Sequence, residues 1–396
     1  MNTIEDKLQR AGEHFRAGQM TAATGICLDV LRTEPEHGAA LDQLGLIQLH
    51  AGRAAEAAEL FQRAVAADSE SPAYHDHLAR SLRMLGRNDE ADAATVCASR
   101  LHTRRRLVQY QRDIEVQRRS RYLDFPQHVH LETMATCNAA CVFCPYPNLE
   151  RQGERMPDEL IEKILSDLGD MPKDLPFHLS PFKVNEPFLD VRLFDILGLV
   201  NERLPQATIT LTSNATPITA GNLDRIERVK NIGYLWISFN DHRADHYERT
   251  MKLPYQRTIE RLDLIHKRKA EGRLPFVVVL SRVGDGTGDD QAFRDWCQAR
   301  YPLFGTSVFQ CGGWLGQVDT EVGDVPDVGC MRWFELSITA TGAVAHCCMD
   351  GQAKWPIGDV RQTHVLDIYN SPDYRRLRAA TTTRHDAEPC KSCTFL

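Results

Sequence analysis

The octapeptide Cys137-Asn138-Ala139-Ala140-Cys141-Val142-Phe143-Cys144 sets three thiols in a CxxxCxxC spacing, directly after His128-Val129-His130-Leu131-Glu132-Thr133, which alternates as a strand does. Soft thiolates at this spacing suit an iron–sulfur cluster or zinc. A four-iron cube bound by three loop thiolates keeps one iron without a local ligand. A structural zinc needs a fourth protein ligand, and the following Pro145-Tyr146-Pro147 offers none. The rest of the chain suits such chemistry. Twelve cysteines among 396 residues are many for a protein whose start, Met1 to Lys7, shows no secretory leader and which has no apolar run of the ~18 residues a membrane span needs. A cytoplasmic location is expected, and in a reducing compartment metal binding explains the thiols better than disulfides do.

With Phe143 as its aromatic, the loop resembles the CxxxCxΦC signature of the radical S-adenosylmethionine (SAM) superfamily. The resemblance implies an α/β fold, a partial (β/α)6 barrel over residues 126–318. It also implies a 4Fe-4S cluster on Cys137, Cys141 and Cys144, whose open iron binds SAM, and reduction by a donor such as flavodoxin or ferredoxin. The sequence supplies the alternation such a barrel needs. A helix opens at Pro157-Asp158-Glu159-Leu160 and runs through Leu168. Strands are expected over Phe177–Val184, Thr208–Asn214, Tyr234–Asn240, Phe276–Leu280 and Ser307–Phe309. In parallel barrels functional groups gather at the C-terminal strand ends. Asn185-Glu186-Pro187 stands where the family has Gly-Glu-Pro, so the resemblance makes Glu186 a SAM contact, although Asn185 departs from the glycine. Phe143, Asn214, Ser238 and Asn240 are the other cofactor-binding candidates. Cys311, before Gly312-Gly313-Trp314, is a candidate catalytic thiol.

The tail, residues 319–396, holds a second cysteine set: Cys330, Cys347 and the pair Cys390 and Cys393. Phe334–Ile338 and Ala343–His346 flank Thr341-Gly342 as a hairpin. This CxnGx4C…CxxC order resembles the shortened SPASM or twitch domain, a small α+β unit. It implies an auxiliary 4Fe-4S cluster, the second of two, on Cys330, Cys347, Cys390 and Cys393; Cys348 could replace Cys347. Four thiolates saturate such a cluster, and the same four would also suit zinc.

Residues 1–99 repeat. Gly18, Gly52 and Gly86 are 34 apart, as are Ala23, Ala57 and Ala91, and the unit Leu44-Gly45, Gly52, Ala57, Phe61, Ala64 and Asp68 resembles the tetratricopeptide repeat. An all-α domain of three helix pairs is expected, with a peptide or protein partner, or simply a stabilising appendage. Residues 100–125 read as a capping or linking helix. Eight arginines from Arg100 to Arg121 face only Asp113 and Glu115, about +6, within a chain of net charge −7. A solvated helix beside an acidic neighbour is favoured over nucleic-acid binding.

The family resemblance implies hydrogen abstraction by a 5′-deoxyadenosyl radical. With a saturated second cluster as electron acceptor, the expected outcome is oxidation, by dehydrogenation or cross-linking, of a peptide or a sugar- or cyclitol-type substrate. Two alternatives stay open: redox-neutral epimerisation with a cysteine as hydrogen donor, and an interaction protein whose clusters only stabilise it.

Overall fold

The computed structural model describes residues 3–310, 312–319 and 324–395. It forms two compact units, Met1–Tyr110 and Gln111–Leu396. Among the described residues, no helix is long and apolar enough to cross a membrane.

The first unit is all helical: α1 (Ile4–Arg16), α2 (Met20–Thr33), α3 (Gly38–His50), α4 (Ala54–Ala67), α5 (Pro72–Met84) and the start of α6 (Asn88–Arg118). Gly18, Gly52 and Gly86 occupy equivalent turns at φ +74°, +77° and +73°, a region open to glycine without a Cβ penalty. The 34-residue period is thus a period of helix pairs. Small residues set how closely the helices approach: a Cβ on Gly45 of α3 would lie 2.5 Å from the ring of Phe61 on α4. The structure carries α6 across residue 99 without interruption, because the stretch has neither glycine nor proline to break it. Arg104 pairs with Glu70 at 2.6 Å, and Arg118 donates to the backbone carbonyl of Arg378 at 2.9 Å.

The second unit alternates strands and helices: β1 (His128–Leu131), α7 (Asp158–Leu168), β2 (Phe177–Ser180), α8 (Leu193–Arg203), β3 (Ala207–Ser213), α9 (Ala220–Ile226), β4 (Ile232–Ser238), α10 (Ala244–Met251), α11 (Tyr255–Ala270), β5 (Val277–Gly284), α12 (Gly288–Arg300) and β6 (Gly305–Gln310). The tail adds β7 (Glu335–Ile338), β8 (Ala343–Ala345), β9 (Pro356–Asp359), α13 (Val365–Tyr369) and α14 (Pro372–Ala380). Among the described residues, the nine strands form one sheet in the order β6-β5-β4-β3-β2-β1-β7-β8-β9. β1 to β6 run parallel to their neighbours, β7 lies parallel to β1 with His128 opposite Glu335, and β8 and β9 are antiparallel. The tail hairpin thus extends the parallel sheet.

Strand alternation sorts the two faces. Val129, Leu131, Ile209 and Leu211 are fully buried in the main apolar cluster with helix residues such as Ile164 and Leu197, while His128, His130, Glu335 and Ser337 take the opposite face. β2 stops at Ser180 rather than Val184, since Pro181 has no N–H for the ladder.

Gly45→Ala should destabilise the helical unit by ~1–3 kcal/mol through overpacking against Phe61. Gly25→Ala, on an exposed α2 face with nothing within 4 Å of the new Cβ, should stabilise it by roughly 0.5–1 kcal/mol. Calorimetric unfolding of the full chain checks both signs.

Candidate functional site

Every expected site residue that the structure describes in the second unit lies at or beyond a strand's C-terminal end or in the tail. Glu132, the residue after β1, organises the first region. It is fully buried, and Arg151 embraces it with two hydrogen bonds, Nε to Oε2 at 2.6 Å and Nη2 to Oε1 at 2.8 Å. The backbone amides of Val184 and Ala340 also donate to Glu132, at 3.3 and 3.0 Å, and Arg151 donates to the carbonyl of Gly351 at 2.6 Å. This pair joins the cysteine loop, the segment after β2, the end of β7 and the loop after Cys347. Neither Glu132 nor Arg151 stood out in the sequence.

Cys137, Cys141 and Cys144 are half-buried free thiols. The amide of Ala139 donates to Cys137 Sγ at 3.4 Å, and Cys141 Sγ lies 3.7 Å from Met251 Sδ. Burial pushes Cys137 up to about 12 and Cys144 to about 11, and also raises Cys141, where the other two thiols add to the effect. These thiols ionise only where positive charge compensates them, as iron does.

Around the loop the structure gathers the strand-end candidates. Glu186 is 2 % exposed. Its Oε1 accepts from Ser213 Oγ at 2.9 Å and the Phe188 amide at 3.2 Å, and its Oε2 from the Asn214 amide at 2.7 Å. A carboxylate has about four acceptor positions, so one remains. Burial, opposed by those donors, raises its pKa to about 7. Asn214 Nδ2 donates to Asn138 Oδ1 at 2.8 Å, and Asn138 Nδ2 to Thr216 Oγ1 at 2.7 Å, which ties the end of β3 to the cysteine loop. Asn240, at φ +66°, donates to Ser238 Oγ at 2.7 Å and to Met251 Sδ at 3.0 Å, so β4 reaches Cys141 through Met251. Phe143 packs against the main core, and its carbonyl accepts from Trp314 Nε1 at 3.0 Å. Cys311 lies outside the described residues.

In the tail, Cys330, Cys347 and Cys390 are buried, and Cys348 and Cys393 partly so. Cys347 feels the charges of Cys348, Cys330 and Cys390, and Cys393 feels that of Cys330. Burial pushes the Cys348 thiol up to about 11, with the charges of Arg332, Glu335 and Lys183 acting on it more strongly than that of Cys330. Cys390 Sγ has two nitrogens in reach, Trp333 Nε1 at 3.4 Å and His346 Nε2 at 3.2 Å. Burial pushes its thiol up to about 12.

Thiol spacing tests what these sets can hold. Among the described residues, the donors that close to within 4.8 Å of one another as a set of three are His128, His130 and Glu335, and neither cysteine set is that tight. Tetrahedral zinc with Zn–S of ~2.3 Å would draw its sulfurs to about 3.8 Å apart, so neither cysteine set is closed to the spacing of a zinc site. The His–Glu set is a hydrogen-bonded network. His130 Nε2 lies 3.1 Å from Glu335 Oε2, and Arg332 donates to Glu335 Oε1 at 2.8 Å. Despite burial, Arg332 and His130 hold Glu335 well below the usual carboxylate range.

Residues 131–292 match the Radical SAM superfamily, and residues 330–394 match SPASM, an iron–sulfur cluster-binding domain. No curated protein matches in sequence. Among solved structures, Streptococcus suis SuiB bound to precursor peptide SuiA is 14% identical with a TM-score of 0.53, covering 83% of this chain and 86% of that one. BtrN in complex with AdoMet and 2-DOIA is 16% identical at a TM-score of 0.47, covering 69% and 94%. At these identities the likeness to SuiB is one of fold.

Arg151→Met leaves Glu132 buried without its partner and should cost ~3–5 kcal/mol. Adding Glu132→Gln, which removes the stranded charge, should recover part of that loss. Anaerobic denaturant titration of the single and double variants measures both.

Proposed function

Starting from a chain that carries a radical SAM domain and a C-terminal SPASM domain, and with them SAM, a 4Fe-4S cluster and auxiliary iron–sulfur binding, we propose a radical oxidation of a peptide or of a sugar- or cyclitol-type substrate. One observation carries the reading: besides the first set, the tail holds a second set of free thiols, Cys330, Cys347 and Cys390 buried and Cys393 partly so. Four thiolates saturate a cluster, which suits it to electron transfer rather than to binding SAM or substrate.

When bound, the cofactors supply removal of one substrate hydrogen atom and, at the auxiliary cluster, uptake of the electron left when the substrate also loses a proton. The residues do the positioning. Cys137, Cys141 and Cys144 hold the first cluster. Glu186 offers its one remaining acceptor position to the SAM ammonium, oriented by Ser213 and the Phe188 and Asn214 amides. Asn214, Ser238 and Asn240 line the strand ends beside it, and Phe143 closes the loop against the core. Cys347 rather than Cys348 completes the second set, in keeping with the charges of both Cys330 and Cys390 acting on it, whereas Arg332 and Glu335 act on Cys348 more strongly than Cys330 does.

The helical pairs act as a tetratricopeptide-like platform for a peptide partner, because stacked helix pairs offer extended grooves. The precursor peptide bound to SuiB supports the peptide arm of the proposal. A flavodoxin or ferredoxin supplies the reducing electron.

Anaerobically reconstituted protein should bind ~8 irons, and the Cys137/Cys141/Cys144→Ser variant ~4 with no 5′-deoxyadenosine formed. Reductive SAM cleavage by that triple variant would refute the assignment.

Cys390→Ala should still cleave SAM but release 5′-deoxyadenosine without oxidised product. Mass spectrometry of candidate substrates then reads the loss of two hydrogens in the parent protein and its absence in the variant. Full oxidation by a variant lacking the second cluster would remove the electron-acceptor role.

A further inference from the structure

Lys183 lies three residues before Glu186 and is 2 % exposed. Its Nζ points to three backbone carbonyls of one loop, those of Asp350 at 2.8 Å and of Cys347 and Cys348 at 3.4 Å each. Three acceptors match the three N–H donors of an ammonium. Asn185 fixes the lysine's own backbone: its Oδ1 accepts from the Lys183 amide at 2.9 Å, and its Nδ2 donates to the Pro181 carbonyl at 3.4 Å. Asparagine in the position the family gives to glycine thus shapes the turn that aims Lys183.

The charges around this ammonium are unequal. Glu132 is engaged by Arg151, itself a cation, and the carboxylate of Asp350 accepts from its own loop's amides, Lys354 N at 2.8 Å and Trp355 N at 3.0 Å. Among the described residues, no carboxylate forms an ion pair with Lys183. Of the other cations near the thiols, Arg332 has one in Glu335 at 2.8 Å, and the buried Arg384 lies toward Cys390 and Cys393 rather than the Cys347 loop. A buried ammonium is costly unless negative charge lies close. The loop it grips carries Cys347 and Cys348, and a cluster bound by four thiolates is anionic in both oxidation states.

We infer that Lys183 is a positioning residue for the auxiliary cluster, gripping the Cys347 loop and supplying the fixed positive charge that favours the cluster's reduced state. This rests on the reading of the second thiol set as an electron-accepting site. One added electron makes the cluster more negative by one charge, so a nearby fixed cation stabilises the reduced form more than the oxidised one and raises the potential. The same side chain ties the segment bearing Glu186 to the electron acceptor, so the two sites share a rigid support.

Lys183→Met and Lys183→Arg test this in the full chain, each also made in the Cys137/Cys141/Cys144→Ser background, where the auxiliary signal stands alone. Potentiometric titration followed by electron paramagnetic resonance should show the Met variant reduced at a potential lower by a tenfold change in equilibrium or more, ~59 mV for one electron. The Arg variant should stay near the parent. If Met prevents assembly of the auxiliary cluster alone, with ~4 irons and SAM cleavage retained, and Arg restores it, the inference stands. A Met variant with a complete auxiliary cluster at the parent potential overturns it. So does loss of both clusters in Met and Arg variants alike, which would make Lys183 a general core residue. A parent chain with no second cluster signal would instead refute the underlying reading.

Discussion

The buried Glu132–Arg151 pair is the constraint on which the rest of the second unit depends. Glu132 follows the strand that leads into the cysteine loop, and its two oxygens serve a guanidinium and two amides from distant segments. A carboxylate so enclosed is tolerable only while every one of those donors is in place. Segments far apart in the chain are therefore locked into a single arrangement: the loop of Cys137, the turn of Lys183 and Glu186, the end of β7 and the Gly351 loop. The strand ends then fall into place around the first thiol set through Asn138, Asn214, Asn240 and Met251.

Charge, more than apolar packing, distinguishes the two thiol sets. The first has a carboxylate, Glu186, held beside it with one acceptor position to spare. The second has cations near its thiols, Lys183 at the Cys347 loop and Arg384 toward Cys390 and Cys393, while Arg332 is paired with Glu335. A carboxylate suits recognition of an ammonium-bearing ligand, whereas cations suit a centre that takes on electrons. One sheet thus presents two opposite electrostatic environments on neighbouring loops.

The parts legible in the sequence were those whose chemistry is local. CxxxCxxC declares its ligands within eight residues, the 34-residue glycine period marks a turn that recurs, and the parallel strands show as short apolar runs between helices. The long α6 was also legible, having no breaker from Asn88 to Arg118, but the arginine count drew a boundary at residue 100 that the backbone ignores. What stayed hidden was non-local. Arg151 pairs with a residue 19 positions earlier across the loop, Lys183 finds its acceptors some 164 positions later, and nothing in Glu335–Ile338 announces that it lies parallel to β1. Pro181 could have been read as the end of β2.

The β1·β7 pairing bears on how the chain reaches this state at the ribosome. β1 leaves the exit tunnel some 200 residues before the strand that covers its second edge. At ~5–20 residues per second, that edge waits roughly ten to forty seconds with its backbone donors and acceptors unpaired on one side, the condition in which strands recruit wrong neighbours. The interval ends only when the tail arrives. The cysteines that follow β7 therefore emerge onto a strand already needed to finish the sheet, so synthesis of the second thiol set and completion of that sheet edge become a single late event.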